Sequence, residues 1–128
     1  MNPVYQTKFG KTEGNCLAAC LASIFEIPIE SVSDFGLTDL WYAKFEDYMI
    51  QTFDLQPVDL LVDKLDGWKP KGYHLINGKS PRGNYDHAVV GLSGEPVHDP
   101  FPNGNCELEQ SAYTIFVAML FDAEKKWT

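Results

Sequence analysis

An α+β domain, with N-terminal helices packed on an antiparallel sheet, is what the order of periodicities predicts. Apolar residues recur at helical spacing through the first half of the chain, at Leu17, Leu21 and Ile24 and again from Trp41 to Phe53. Short alternating runs around a Ser93-Gly94 turn fill the second half, and a β-branched and aromatic run ends it at Ala112–Phe121. Helices first and strands after is the pattern of an α+β fold rather than of alternating βαβ units. The 128 residues suit one domain, 1–128, large enough to bury a core without staples.

The first 13 residues are polar and read as extended. A helix is expected from Cys16 to Glu26, with Asn15 as its N-cap and Pro28 as its stop. Thr38 would cap a second helix from Asp39 to Phe53, whose stripe of Trp41, Phe45, Tyr48, Met49, Thr52 and Phe53 reads as core. Leu55-Gln56-Pro57 breaks that pattern, and Val58–Val62 fits a strand or a short helix equally. After the Lys69–Gly72 loop, Tyr73–Ile76 reads as a strand. Asn77–Asn84, dense in turn formers, reads as an exposed loop. Asp86–Leu92 and Glu95–Asp99 form a hairpin on Ser93-Gly94, closed by Pro100–Asn105. The final run, Ala112–Phe121, reads as a buried central strand.

Composition narrows the function. The formal net charge of −8 argues against nucleic acid as a partner, since phosphate binding needs a basic surface. The acidity serves solubility, or favours basic peptide substrates. No apolar run reaches membrane-spanning length and the start lacks a signal-peptide pattern, so no membrane partner and a cytoplasmic location are expected. Three cysteines without a CxxC pair suggest neither a disulfide framework nor a zinc ribbon, and reduced thiols fit best. No cofactor is called for.

The chemistry-bearing stretch is Gly14-Asn15-Cys16. A cysteine in the first turn of a helix lies at its positive end, where the dipole stabilises a thiolate and lowers its pKa. Folding the hairpin on Ser93-Gly94 brings His87 opposite Asp99 or one residue off it, so an imidazole meets a carboxylate that fixes its tautomer. Cys16 as nucleophile, His87 as base and Asp99 as orienter make a complete set for acyl transfer. The plainer reading is that Cys16 and Cys20 are small buried hydrophobes and Asp99 a turn former. Zinc on Cys16, His74, His87 or His98-Asp99 has no diagnostic spacing, and His98 should point away from Asp99, so no metal is assigned.

These residues resemble the papain-like cysteine peptidases. Asn15-Cys16 with Ala19-Cys20-Leu21-Ala22 behind it, then Asp86-His87-Ala88-Val89-Val90, then Val97-His98-Asp99-Pro100, are similar to the compact bacterial group that processes leader peptides. The chain also looks like small proteins of bacteriophages and bacteria that carry a Ser-Pro-Arg-Gly loop before the His and a His-Asp-Pro after it. The resemblance implies a papain-like fold, a peptide or protein substrate, and a setting in a bacterial or phage-infected cell. It implies an oxyanion hole made by the Cys16 N–H and a glutamine, for which Gln6 is the candidate. Gln6 stands ten positions before Cys16, farther than the family's usual spacing. An insertion at Lys8-Phe9-Gly10-Lys11 would account for this, and Thr12 and the Asn15 side chain are the other candidate donors. Asn15, Arg82 and Tyr85 are candidate substrate contacts, with Trp68 and Tyr73 as possible subsite linings.

The expected activity is therefore a cysteine-dependent peptidase or amidase working through a thioester. A non-catalytic binding or inhibitory protein on the same scaffold, or a deamidase or transglutaminase-like effector, would use the same residues.

Overall fold

The computed structural model describes residues 1–10, 14–35 and 39–119. Two helices, α1 (Cys16–Phe25) and α2 (Trp41–Phe53), pack on a five-stranded antiparallel sheet. Its strands are β1 (Leu55–Leu61), β2 (Tyr73–Lys79), β3 (Asp86–Leu92), β4 (Glu95–His98) and β5 (Glu109–Ala118), in the spatial order β1-β5-β2-β3-β4. The α+β class is as the sequence predicts. Among the described residues no helix is long and apolar enough to cross a membrane.

Both helices end on a residue in the left-handed conformation, Glu26 after α1 and Asp54 after α2, so α1 stops one residue short of the expected Glu26. In α1, Ala19, Cys20, Leu21, Ala22 and Ser23 are buried, while Leu17 and Ile24 are half-buried. In α2 only Phe45 and Met49 are fully inside; Trp41 and Thr52 are exposed, contrary to the expected six-residue stripe. Leu40 takes the N-cap position of α2. The proposed cap Thr38 lies outside the described residues, as do Leu120 and Phe121 of the last strand.

Strand boundaries differ from expectation in β1, β2, β4 and β5. Leu55-Gln56-Pro57 belongs to β1, because β1 is an edge strand paired only with β5, where proline's missing N–H is tolerated. Val58–Leu61 completes that strand, and a short 3₁₀ turn follows at Val62–Lys64. Asn77-Gly78-Lys79 continues β2 instead of opening the loop. The turn-forming residues misled here: Gly78 is in the strand because β5 passes so close that a Cβ would strike the Glu109 carbonyl, and the register shifts at this point. β5 begins earlier, at Glu109, and is interior to the sheet, although only Tyr113 and Thr114 in it are fully buried.

The β3–β4 hairpin turns on Ser93 and Gly94, with φ of 54° and 84°, the left-handed pair that a tight two-residue hairpin requires. The helices cover one face of the sheet, where Leu75, Ala88 and Val90 join Cys20, Leu21, Phe45 and Met49. Ile76, Val89 and Tyr113 form a smaller cluster apart from it. The N-terminal segment is stitched along α1 and the end of β4. Asn2 N–H donates to the Ser23 carbonyl (3.1 Å) and Gln6 N–H to the Pro100 carbonyl (2.9 Å). The His98 Nε2–H donates to the Val4 carbonyl at 2.7 Å.

Candidate active site

The site lies where the head of α1 meets the start of β3. Asn15 precedes the helix, and its carbonyl accepts the Ala19 N–H at 3.0 Å. Its side chain does not cap the helix, contrary to expectation. It turns back instead: Oδ1 accepts the N–H groups of Thr7 and Lys8, both at 3.0 Å, and Nδ2 donates to Thr7 Oγ1 at 3.0 Å. The Asn15 N–H adds a bond to the Lys8 carbonyl at 3.2 Å. Asn15 therefore leaves the first turn of α1 without a side-chain cap.

Cys16 sits among them. The backbone N–H groups of Ala88, Leu17 and Cys16 itself point at its sulfur and favour a thiolate, but burial outweighs them and pushes the thiol above its ordinary value. The net shift is upward, against the lowering expected for a thiol at a helix end. A helix dipole contributes a fraction of a charge, and removing the sulfur from water costs more. Cys20, one turn on, is fully buried, and its S–H points to the Ala88 carbonyl at 3.5 Å. Both thiols thus bracket Ala88, the residue after His87.

His87 and Asp99 meet at 2.8 Å between Nε2 and Oδ1, each side chain only 2% exposed. The register reaches this contact differently from expectation. The hairpin pairs Leu92 with Glu95 and Gly91 with Pro96, then shifts so that Val90 faces His98. The strand ends there, and Asp99 turns out of it to reach His87. Asp99 Oδ1 also accepts the Phe101 N–H at 2.9 Å, and Oδ2 accepts the Cys106 N–H at 3.0 Å. Burial alone would raise the Asp99 carboxyl; the hydrogen bonds from His87, Phe101 and Cys106 together outweigh it and hold the group below its ordinary value. Burial lowers the His87 pKa. Asp99 opposes that through its hydrogen bond and charge, the charge of Arg82 adds to it, and the net shift is downward. An ionised carboxylate can only accept, so His87 carries its proton on Nε2 and leaves the Nδ1 lone pair for a proton from elsewhere.

Asp99 is close enough for its charge to bear on the Cys16 sulfur. The Ala88 N–H at the Cys16 sulfur sets that thiol against the residue that follows His87, with the thiol and the imidazole both neutral at rest.

Gln6 is buried, 7% exposed, and reaches the same corner. Its Nε2 donates to the Lys8 carbonyl at 2.9 Å, the carbonyl that also takes the Asn15 N–H, and its Oε1 has no partner. The long Gln6–Cys16 spacing is folded away by the Asn15 clamp, while Lys11 and Thr12 lie outside the described residues. The Asn15 carboxamide is occupied by Thr7 and Lys8 and clamps that segment to the helix head. Tyr85 is half-buried over its own loop, where a Cβ on Gly83 would strike its ring. Tyr73 pairs with Leu92, at the opposite end of the β2–β3 ladder from His87, and Trp68 adjoins Lys69, which packs on Gly94. Neither lines this site. His74 and His98 have other partners, so the zinc candidates are dispersed; among the described residues no three His, Cys, Asp or Glu side chains gather as a metal site requires.

Two features escaped the sequence. The Phe101–Cys106 loop bends back to cradle Asp99, and Gly104 is part of it: a Cβ there would strike Oδ2 and stand 2.6 Å from Cγ. The dense run Pro100-Phe101-Pro102-Asn103-Gly104-Asn105 signalled a turn but not what it encloses. Two shallow grooves, of about 540 and 490 Å³, flank Cys106; the second reaches Asp99, and neither is lined by Cys16. Compared with protein-family models, curated proteins and solved structures, the chain matches none of them.

Proposed function

We propose that the protein is a cysteine-dependent hydrolase of peptide or amide bonds, on a papain-like scaffold. The observation that carries this reading is the buried 2.8 Å His87–Asp99 pair beside a helix head whose N–H groups are uncapped and which carries Cys16. His87 Nδ1 takes the Cys16 proton as the sulfur attacks the acyl carbon. The oxyanion is met by the Cys16 N–H, with the second N–H of Gln6 as the candidate side-chain donor. The imidazolium, stabilised by Asp99, then gives its proton to the leaving amine. Water, deprotonated by the same nitrogen, cleaves the thioester and restores the thiol. An amine in place of water would make the reaction a transamidation, and a side-chain amide as substrate a deamidation.

One observation favours a second reading, a non-catalytic binding protein: the Cys16 thiol is raised, not lowered. p-Nitrophenyl acetate separates the two. The hydrolase reading expects p-nitrophenolate release with a transient acetyl group on Cys16, seen by intact-mass spectrometry and abolished in Cys16→Ala. Release that is unchanged in Cys16→Ala overturns it.

A further inference from the structure

Arg82 has no part in that mechanism, yet its exposed side chain has a defined seat. Its backbone N–H donates to Ser80 Oγ at 3.1 Å, and its guanidinium carbon lies 3.7 Å from the centre of the Phe101 ring. Phe101 is itself held by the hydrogen bond from its N–H to Asp99. The Phe101 ring also meets Phe9 edge-on at 5.6 Å. Phe9 follows Lys8, whose carbonyl takes the Asn15 N–H at the head of α1. Phe9, Phe101 and Arg82 therefore form a shelf from the helix head, past Asp99, to the loop before His87.

A guanidinium lying on an aromatic face keeps its N–H donors at its edge, free for a planar anion. Among the described residues no carboxylate pairs with Arg82; the ion pairs join Met1 to Glu26, Lys69 to Glu95 and His87 to Asp99. This is notable in a chain with 18 acidic and 10 basic residues. An exposed arginine left unpaired among so many carboxylates is a positive point on a negative surface. Its seat, Phe101, donates its N–H to Asp99, the partner of His87, so the arginine stands one ring away from the buried pair.

We infer that Arg82, seated on Phe101, is a subsite for a substrate carboxylate adjoining the bond that Cys16 attacks. This rests on the hydrolase reading and adds a substrate class to it. The acidic surface as a whole draws basic peptides, and Arg82 demands one carboxylate at one place. The bidentate fork suits a carboxylate plane, and its seat on a ring fixes the fork before substrate arrives.

The test compares two alkylating reagents of the same size and leaving group, iodoacetate and iodoacetamide, on the intact protein. Rates are read at the Cys16 peptide by mass spectrometry. The ratio of the iodoacetate rate to the iodoacetamide rate should fall about three- to tenfold in Arg82→Gln, and further in Arg82→Glu, as a nearby charge is removed and then reversed. Added salt should narrow the wild-type ratio. Two tripeptide protectants then separate the sources of the carboxylate, one with an internal glutamate and an amidated end, the other all glycine with a free C-terminus. The one whose protection of Cys16 shrinks in Arg82→Gln names the source. A Cys16 that reacts with a ratio indifferent to Arg82 overturns the subsite alone. A Cys16 that takes up neither reagent overturns the thiol chemistry, and the subsite with it.

Discussion

His74 and His87 lie on neighbouring strands, near opposite ends of the β2–β3 ladder, and both are buried. Burial lowers the pKa of each. His74 Nδ1–H donates to the Gly72 carbonyl at 3.0 Å, its ring stands edge-on to Tyr113, and its Nε2 faces the space left by Gly91 with no partner. His87 donates its Nε2–H to a carboxylate that two backbone N–H groups and Gly104 hold in place. Burial and neutrality are common to both rings. The difference is a fixed negative charge on one nitrogen and a thiol in the neighbourhood, and that makes one ring a candidate base and the other a core residue.

The sharpest way to break this contrast is to delete each ring. His87→Ala should lower turnover of an activated ester by about 10²–10⁴. His74→Ala should leave turnover in place and lower stability by roughly 2–4 kcal/mol, from a lost hydrogen bond and a cavity. Turnover assays and denaturant melts on the two variants check it, and equal activity losses would erase the distinction.

The glycines beside the rings give the next effect. Gly104→Ala pushes on Asp99, and a misplacement of about 1 Å is expected to cost on the order of 10²-fold in rate. Gly91→Ala pushes on His74 and on Ile76, whose Cγ1 a Cβ would approach to 2.9 Å. It should unsettle the fold before the chemistry, and steady-state rates beside melting curves show which glycine affects which property.

Acid sensitivity is a smaller effect and is shared by the two rings. Both have folded pKa values below the ordinary 6.5. The unfolded chain therefore binds these protons first, and stability falls as pH drops below 6.5 toward the folded values. Asp99, also lowered, adds a further loss below 3.8. Melts across this range should show the first decline flattened when either histidine is replaced by a residue that does not titrate. The smallest expected effect is at Asn15. Asn15→Ala removes the clamp on Thr7 and Lys8, worth about 1 kcal/mol for each net hydrogen bond, and should speed amide exchange at those two residues.

The hairpin and both helices were legible because each carries a local signal: the Ser93-Gly94 turn, the apolar spacing and the stop at Pro28. The nearness of His87 to Asp99 was legible for the same reason, since a two-residue turn nearly sets who faces whom. The shift at Val90, the extension of β2 through Gly78 and the placement of Pro57 in β1 were not, because they depend on the neighbouring strand. The cradle around Asp99 and the Arg82 seat on Phe101 join loop residues whose meeting no periodicity encodes. The Cys16 thiol was misjudged in direction because a helix end is visible in a sequence, whereas the burial that outweighs it is a property of the packed whole.

The most direct test is the pH profile of Cys16 alkylation by iodoacetamide, with and without His87. Two inflections are expected in the wild type: one below 6.5, where His87 begins to accept the thiol proton, and one above 9.0, where the thiol ionises by itself. In His87→Ala the lower inflection should vanish and Cys16 should become nearly inert at pH 7. Identical profiles in the two proteins would mean that the imidazole does not act on the thiol, and the catalytic reading would fall.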